Sequence, residues 1–361
     1  MPWECYQYIK FCPGYFHVKM AATDAPWRIM IRPALGHLDE TCLMKDVAIL
    51  RPKETGTIIS KCDFCRMHQV IKHVRIARRL DCWQIAVEKA YPQYATLEDF
   101  AKSRPKLEEL TAMATDLVQN YVATAHMLSS DRLKSDSEWD KQFENAKLMQ
   151  HYFLLYEELS HSMNFGDIGQ LERTLLPWIL LFKATGKHKY ATAMEKHLVE
   201  THFEYPEPLR HTIRYNMLVN PTGKAGKFCA VDWLVEAENC EIKVHHCGQG
   251  SNQTVKHMIA ESALIGTFKA INDSVENNLL LNTTLAHGEP NMGQTFAELR
   301  KSLSQTSPHK LMPSRKSMYS IPNMLNKGGE LLVTSGCTGE TQMMWVMRMM
   351  QSQGRRPMTW S

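Results

Sequence analysis

The sequence predicts a mainly α fold, with an irregular N-terminal segment, a multi-helix globular domain and a disordered C-terminal tail. Three observations predict it. Apolar residues recur at three- and four-residue spacing over long stretches, as the buried stripe of a helix requires. No stretch alternates apolar and polar residues as a strand ladder would. Hydrophobic residues make up 44% and charged residues 22% of the 361, which is a globular balance and enough chain to bury a core.

The elements follow in order. Residues 1–60 are irregular, because Pro13, Gly14, Pro26, Pro33, Gly36, Pro52 and Gly56 interrupt every possible long helix. From Cys65 helical periodicity begins, with Val70, Val74, Ala77, Leu80 and Trp83 on one face. A second helix follows Pro105, whose missing N–H costs nothing in a first turn, and carries Leu107, Leu110, Ala114, Leu117, Tyr121, Ala125 and Leu128. A third runs from about Ser137 to Met163 through Trp139, Phe143, Ala146, Met149, Phe153, Tyr156 and Leu159. Gly166 ends it in the left-handed conformation. Asp167 caps the next helix, with Gln170 as the reciprocal partner, and Pro177 kinks it. Gly186 breaks the chain again before a helix from Lys187 to about Phe203, and Pro206 and Pro208 separate that from Leu209 to Val219. A loop from Asn220 to Lys227 leads to a helix from about Val231, and Val255 to Leu279 forms one more long helix. The helical domain therefore spans 61–303. From 304 to 361 Ser, Pro, Gly, Lys and Met dominate, as in a disordered tail, with an apolar island from Met343 to Met350 that would suit a docking helix.

Charge and cysteine content narrow the function. The net charge is +4; the last 58 residues carry seven Lys and Arg against two Asp and Glu, so the remainder is near −1. No nucleic-acid footprint marks the main body. No apolar run reaches the roughly 18 to 20 residues of a membrane span, and the N-terminus lacks signal-peptide features. Ten scattered cysteines fit reduced thiols in an intracellular compartment, nucleus or cytoplasm. The chain contains no nucleophile elbow, dinucleotide fingerprint or His-Glu-x-x-His motif, so hydrolase, dehydrogenase and metalloprotease readings have no support.

The stretch from Met163 to Asn252, with the residues that follow it directly, includes MNFGDIGQLERTLLPWILLFKATGKHKYATAMEKHLVETHF, LRHTIRYNMLVNPTGKAGKFCAVDWLVEAENCEIKV and GQGSNQTVKH. It resembles domain of unknown function 6589, a family multicopy in mushroom-forming fungi. Phe16-His17-Val18-Lys19-Met20-Ala21 and Arg51-Pro52-Lys53-Glu54-Thr55-Gly56 extend the resemblance over most of residues 10–310. It implies no assigned activity. The family's multicopy distribution implies descent from mobile elements, and its usual Gly-Asp-Gln-type motif is expected upstream of Met1.

Four acidic residues are candidates for chemistry. Asp167 and Glu172 lie in the first block; Asp232 and Glu236 in the second are four apart and share a helix face. Converging carboxylates from Asp167, Asp232 and Glu236 would hold divalent metal such as magnesium for phosphoryl transfer on nucleic acid. The alternative is structural: Asp167 caps a helix and Asp232 offsets a first-turn dipole. Lys224 and Lys227, in a glycine-bearing loop, are candidates for a phosphate backbone, although Phe228 stands where a nucleotide-binding loop needs Ser or Thr. His17 is a candidate base. Cys62, Cys65 and His68 have half the ligand pattern of a zinc site, without a second pair at finger spacing. The leading expectation is a non-catalytic or degenerate derivative of a mobile-element protein that acts through binding. A metal-dependent nuclease or transposase and a protein-interaction scaffold are the alternatives.

Overall fold

A computed structural model describes residues 9–124, 128, 130–245, 254–279 and 291–334. Their regular structure is helical apart from one antiparallel pair of two-residue strands.

The N-terminal segment differs from expectation. Its prolines and glycines do prevent long helices, but short ones form: α1 (Tyr15–Pro26), α2 (Leu43–Leu50) and α3 (Thr55–Ser60). Helix α1 enters the core through Tyr15, Val18, Ala21, Ala22 and Ala25, all at most 4% exposed. The small alanines let it lie close against its neighbours. Pro26 cannot donate to the helical ladder, and the chain continues as a π-turn over Trp27–Ile31, closed by Arg32 N–H donating to the Trp27 carbonyl at 2.9 Å.

Helix α4 (Phe64–Ala90) starts where expected, capped by Asp63. Its buried stripe runs through Met67, Val70, Ile71, Val74 and Ala77, then Arg78 and Cys82 rather than Leu80 and Trp83. Arg78 is fully buried because Asp46 of α2 accepts from its Nε at 2.7 Å and the Thr41 carbonyl from its Nη2 at 2.8 Å. After α5 (Leu97–Lys102) comes α6 (Leu107–Tyr121), on which only Leu117 is buried and Leu107 is 74% exposed. The apolar stripe predicted after Pro105 is therefore mostly not core.

Helix α7 (Lys141–Phe165) and helix α8 (Ile168–Ala184) form the centre. Gly166 ends α7 at φ +72°, and Asp167 Oδ1 accepts from Gln170 N–H at 2.8 Å to start α8. The Gln170 side chain does not reciprocate; it bonds Glu158. Pro177 sits inside α8, which is buried nearly all round through Leu171, Leu175, Trp178, Ile179 and Phe182. Helix α9 (His188–Val199) passes into a π-turn over Glu200–Glu204 before α10 (Glu207–Asn216).

Strands β1 (Leu218–Val219) and β2 (Cys229–Ala230) pair antiparallel and deliver α11 (Val231–His245). The long helix expected from Val255 to Leu279 is two helices, α12 (Val255–Ser262) and α13 (Ile265–Leu279). The domain boundary expected at Ser304 falls inside α14 (Gly293–Thr306), and the chain stays in the body to Thr334. Arg315 makes two bonds to Asp140 at 2.9 and 2.8 Å. Asp39 accepts from Met318 N–H at 3.0 Å, and Asn145 accepts from Ile321 N–H at 2.8 Å. Helix α15 (Met324–Thr334) then packs on α8 so closely that a Cβ on Gly328 would overlap the Leu180 carbonyl. The rest of the expected tail, including the Met343 to Met350 island, lies outside the described residues. No helix among the described residues is long and apolar enough to cross a membrane.

Candidate functional site

Helix α1 begins without a capping side chain of its own, since Gly14 occupies the N-cap. Asp232, in the first turn of α11, supplies the missing acceptor across the fold. Its Oδ1 accepts from Phe16 N–H at 3.0 Å and its Oδ2 from His17 N–H at 3.2 Å. One carboxylate thus lies at the N-terminal ends of two helices, where both dipoles favour negative charge. A Cβ at Gly14 would overlap the Asp232 carboxylate, so the bond in this form depends on glycine there.

The His17 side chain completes the cluster. Its Nδ1 bonds Asp232 Oδ2 at 2.9 Å, so the ring donates there to the carboxylate. Its Nε2 stands 3.7 Å from Glu236 Oε1, beyond hydrogen-bond reach. The four-residue spacing of Asp232 and Glu236 does bring both to one side chain. His17 and Glu236 are each more than two-fifths exposed, so the cluster opens at the surface.

The other acidic candidates serve elsewhere. Asp167 is exposed and caps α8. Glu172, 6% exposed, accepts from Arg214 Nε at 2.8 Å and Nη2 at 3.0 Å, with His202 Nε2 3.3 Å away. Burial by itself would raise the Glu172 carboxyl, but hydrogen bonds from His202 and Arg214 outweigh it and hold the group below its ordinary range. Among the described residues no group of three or more His, Cys, Asp or Glu is placed to hold a metal ion. The donor set among these residues does not fit magnesium.

Lys224 and Lys227 are exposed on the loop joining β1 and β2. Gly223 and Gly226 take φ of +66° and +68°, which glycine adopts without steric cost. The loop uses its own N–H groups: Gly223 donates to the Asn220 carbonyl, Lys224 to Thr222 Oγ1 and Lys227 to the Lys224 carbonyl, each at 3.3 Å. A phosphate would therefore meet mainly the two ammonium groups.

The Cys62, Cys65 and His68 pattern does not close. His68 Nδ1 pairs with Tyr156 Oη at 2.7 Å and its ring stacks on Phe64. Desolvation, with Lys19 and other cations nearby, pushes the His68 pKa down to about 4, and burial pushes the Cys62 thiol up to about 11.

Sequence reasoning did not find Gly14, Arg214 or His202, whose roles come from contacts distant in sequence. The N-cap lacking an acceptor before Tyr15 was the one local signal of an external partner for α1.

A model for a family of unknown function, DUF6589, matches residues 1–287. The chain belongs to the DUF6589 family. The match takes in His17, Asp167, Glu172, Lys224, Lys227, Asp232 and Glu236. Helices α14 and α15, which complete the body of this DUF6589 chain, lie past the matched region. No curated protein and no solved structure matches the chain.

Proposed function

We propose that this DUF6589 chain is a non-catalytic helical domain that acts through binding, a degenerate derivative of a mobile-element protein. One observation carries the non-catalytic reading: the strongest acidic candidates already hold the fold together. Asp232 clasps α11 to the start of α1, Asp167 starts α8 and Glu172 is pinned by Arg214. A carboxylate committed to backbone N–H groups has fewer lone pairs left for a metal. The multicopy distribution of the family supports the mobile-element descent.

Binding would use the Lys224 and Lys227 loop, on which both lysines are exposed. Nucleic-acid phosphate is the partner that such a loop suits.

Asp232→Ala decides between this reading and a nuclease. The expected result is a stability loss of about 1 to 2 kcal/mol, the usual cost of a lost cap, with no nucleic-acid cleavage by either form in magnesium or manganese. Metal-dependent cleavage by the wild-type chain that Asp232→Ala abolishes would overturn it.

A further inference from the structure

The loop that carries Lys224 and Lys227 is held against the C-terminal end of α7. Phe228 N–H donates to the Asn164 carbonyl at 3.0 Å. The Phe228 ring lies so close to Gly166 that a Cβ there would overlap it. Gly226 faces Phe165, and a Cβ on that glycine would stand 3.6 Å from the ring's Cζ. Gly226 and Phe228 flank Lys227 in the chain, so the backbone of Lys227 is fixed beside Phe165.

Phe165 is the exception among the rings of its helix. It is 57% exposed, whereas Tyr152, Phe153 and Tyr156 are each at most 3% exposed. One face of its ring stacks on His161, one turn back, with centroids 4.4 Å apart and planes at 23°. The rim meets Gly226, so the exposed area lies on the other face. A flat apolar surface is thus turned to solvent, backed by a second ring and flanked by a basic loop. The negative end of α7 does not oppose an anion there. The N–H groups of Asp167, Gly166 and Phe228 take the carbonyls of Ser162, Met163 and Asn164. Asp167, two residues beyond Phe165, has Oδ1 engaged by Gln170 N–H.

Lysines meet the phosphates of paired and unpaired strands alike, but an open ring face does not treat the two alike. Neighbouring pairs cover the base faces of a duplex. In a single strand a base turns out and stacks on an aromatic side chain while cations hold the phosphates beside it. Resting on the phosphate-binding reading of this loop, the geometry points to a site for single-stranded nucleic acid. One base stacks on the open face of Phe165, and Lys224 and Lys227 hold the adjoining phosphates.

The test uses the full chain and fluorescence anisotropy. The probes are a thymidylate oligomer of about 12 nucleotides, within the usual range of single-strand sites, and an abasic strand of the same length and charge. The thymidylate strand is expected to bind ~10-fold more tightly, as one stacked base supplies. Phe165→Leu keeps an apolar contact with Gly226 but has no ring, and it is expected to bring the two affinities together. Phe165→Trp is expected to preserve the preference. Lys224→Glu with Lys227→Glu is expected to weaken both strands by the same factor. Equal affinity of the wild-type chain for the two strands, with the lysine variant still weakening both, would overturn the stacking site and leave the phosphate reading standing. A preference that survives Phe165→Leu would also overturn the site, as would an equal loss on a duplex. Absence of binding to either strand would overturn both readings.

Discussion

At the residue scale, one carboxylate does work that its sequence position only half reveals. Asp232 lies in the first turn of its own helix, and that dipole alone would justify it. Its bonds to Phe16 and His17 add the second helix and make Gly14 part of the same device. Gly14→Ala is therefore expected to cost about 1 to 2 kcal/mol, similar to losing the cap, because the Cβ forces the carboxylate away. Combining Gly14→Ala with Asp232→Ala is expected to cost clearly less than the sum, since both remove one contact. Urea denaturation of the single and double variants measures this, and strict additivity would separate the two residues.

At the element scale, the contacts of α15 with α8 and of the β1–β2 loop with solvent make opposite predictions. Gly328 lets α15 approach the Leu180 carbonyl, so Gly328→Ala must push two helices apart at the centre. A loss of about 2 to 3 kcal/mol is expected, as for overpacked cores, and a thermal melt shows it as a lower Tm. On the loop, Lys224→Glu with Lys227→Glu is expected to leave the melt unchanged, since both side chains are exposed. It should weaken binding to a DNA duplex and flatten its dependence on salt, by counterion release from about two phosphates. An unchanged salt slope by fluorescence anisotropy would remove the loop from the binding reading.

At the scale of the whole molecule, several buried or half-buried histidines share one direction. Desolvation lowers His68, His151, His197 and His309 below the ordinary value, opposed at His197 by Glu172 and Glu200 and at His309 by Asp81. Unfolded histidines take up protons near pH 6.5, whereas His68 in the fold does so only at about 4. Between those values the unfolded chain binds more protons, so stability falls as pH drops. Urea midpoints are thus expected to decline from about pH 6.5 downward, before carboxylates titrate. Glu172, held low, adds its own loss in more acid solution, below its ordinary unfolded value. His68→Gln should flatten the first limb, and an unchanged slope would exclude His68 as a contributor.

Periodicity and punctuation in the sequence by themselves determined the α class, the stop at Gly166, the cap at Asp167 and the break at Gly186. Each depends on bonds within a few residues, which local spacing records. The shared face of Asp232 and Glu236 was legible for the same reason. Only the tertiary structure decided that α1 belongs to the core, that Arg78 continues a buried stripe and that α6 leaves Leu107 exposed. It also decided that residues 307–334 complete the body and that Asp232 meets His17. These depend on partners far along the chain. A proline-rich start or a Ser- and Met-rich end looks irregular until Asp39, Asp140 and Leu180 are there to receive it.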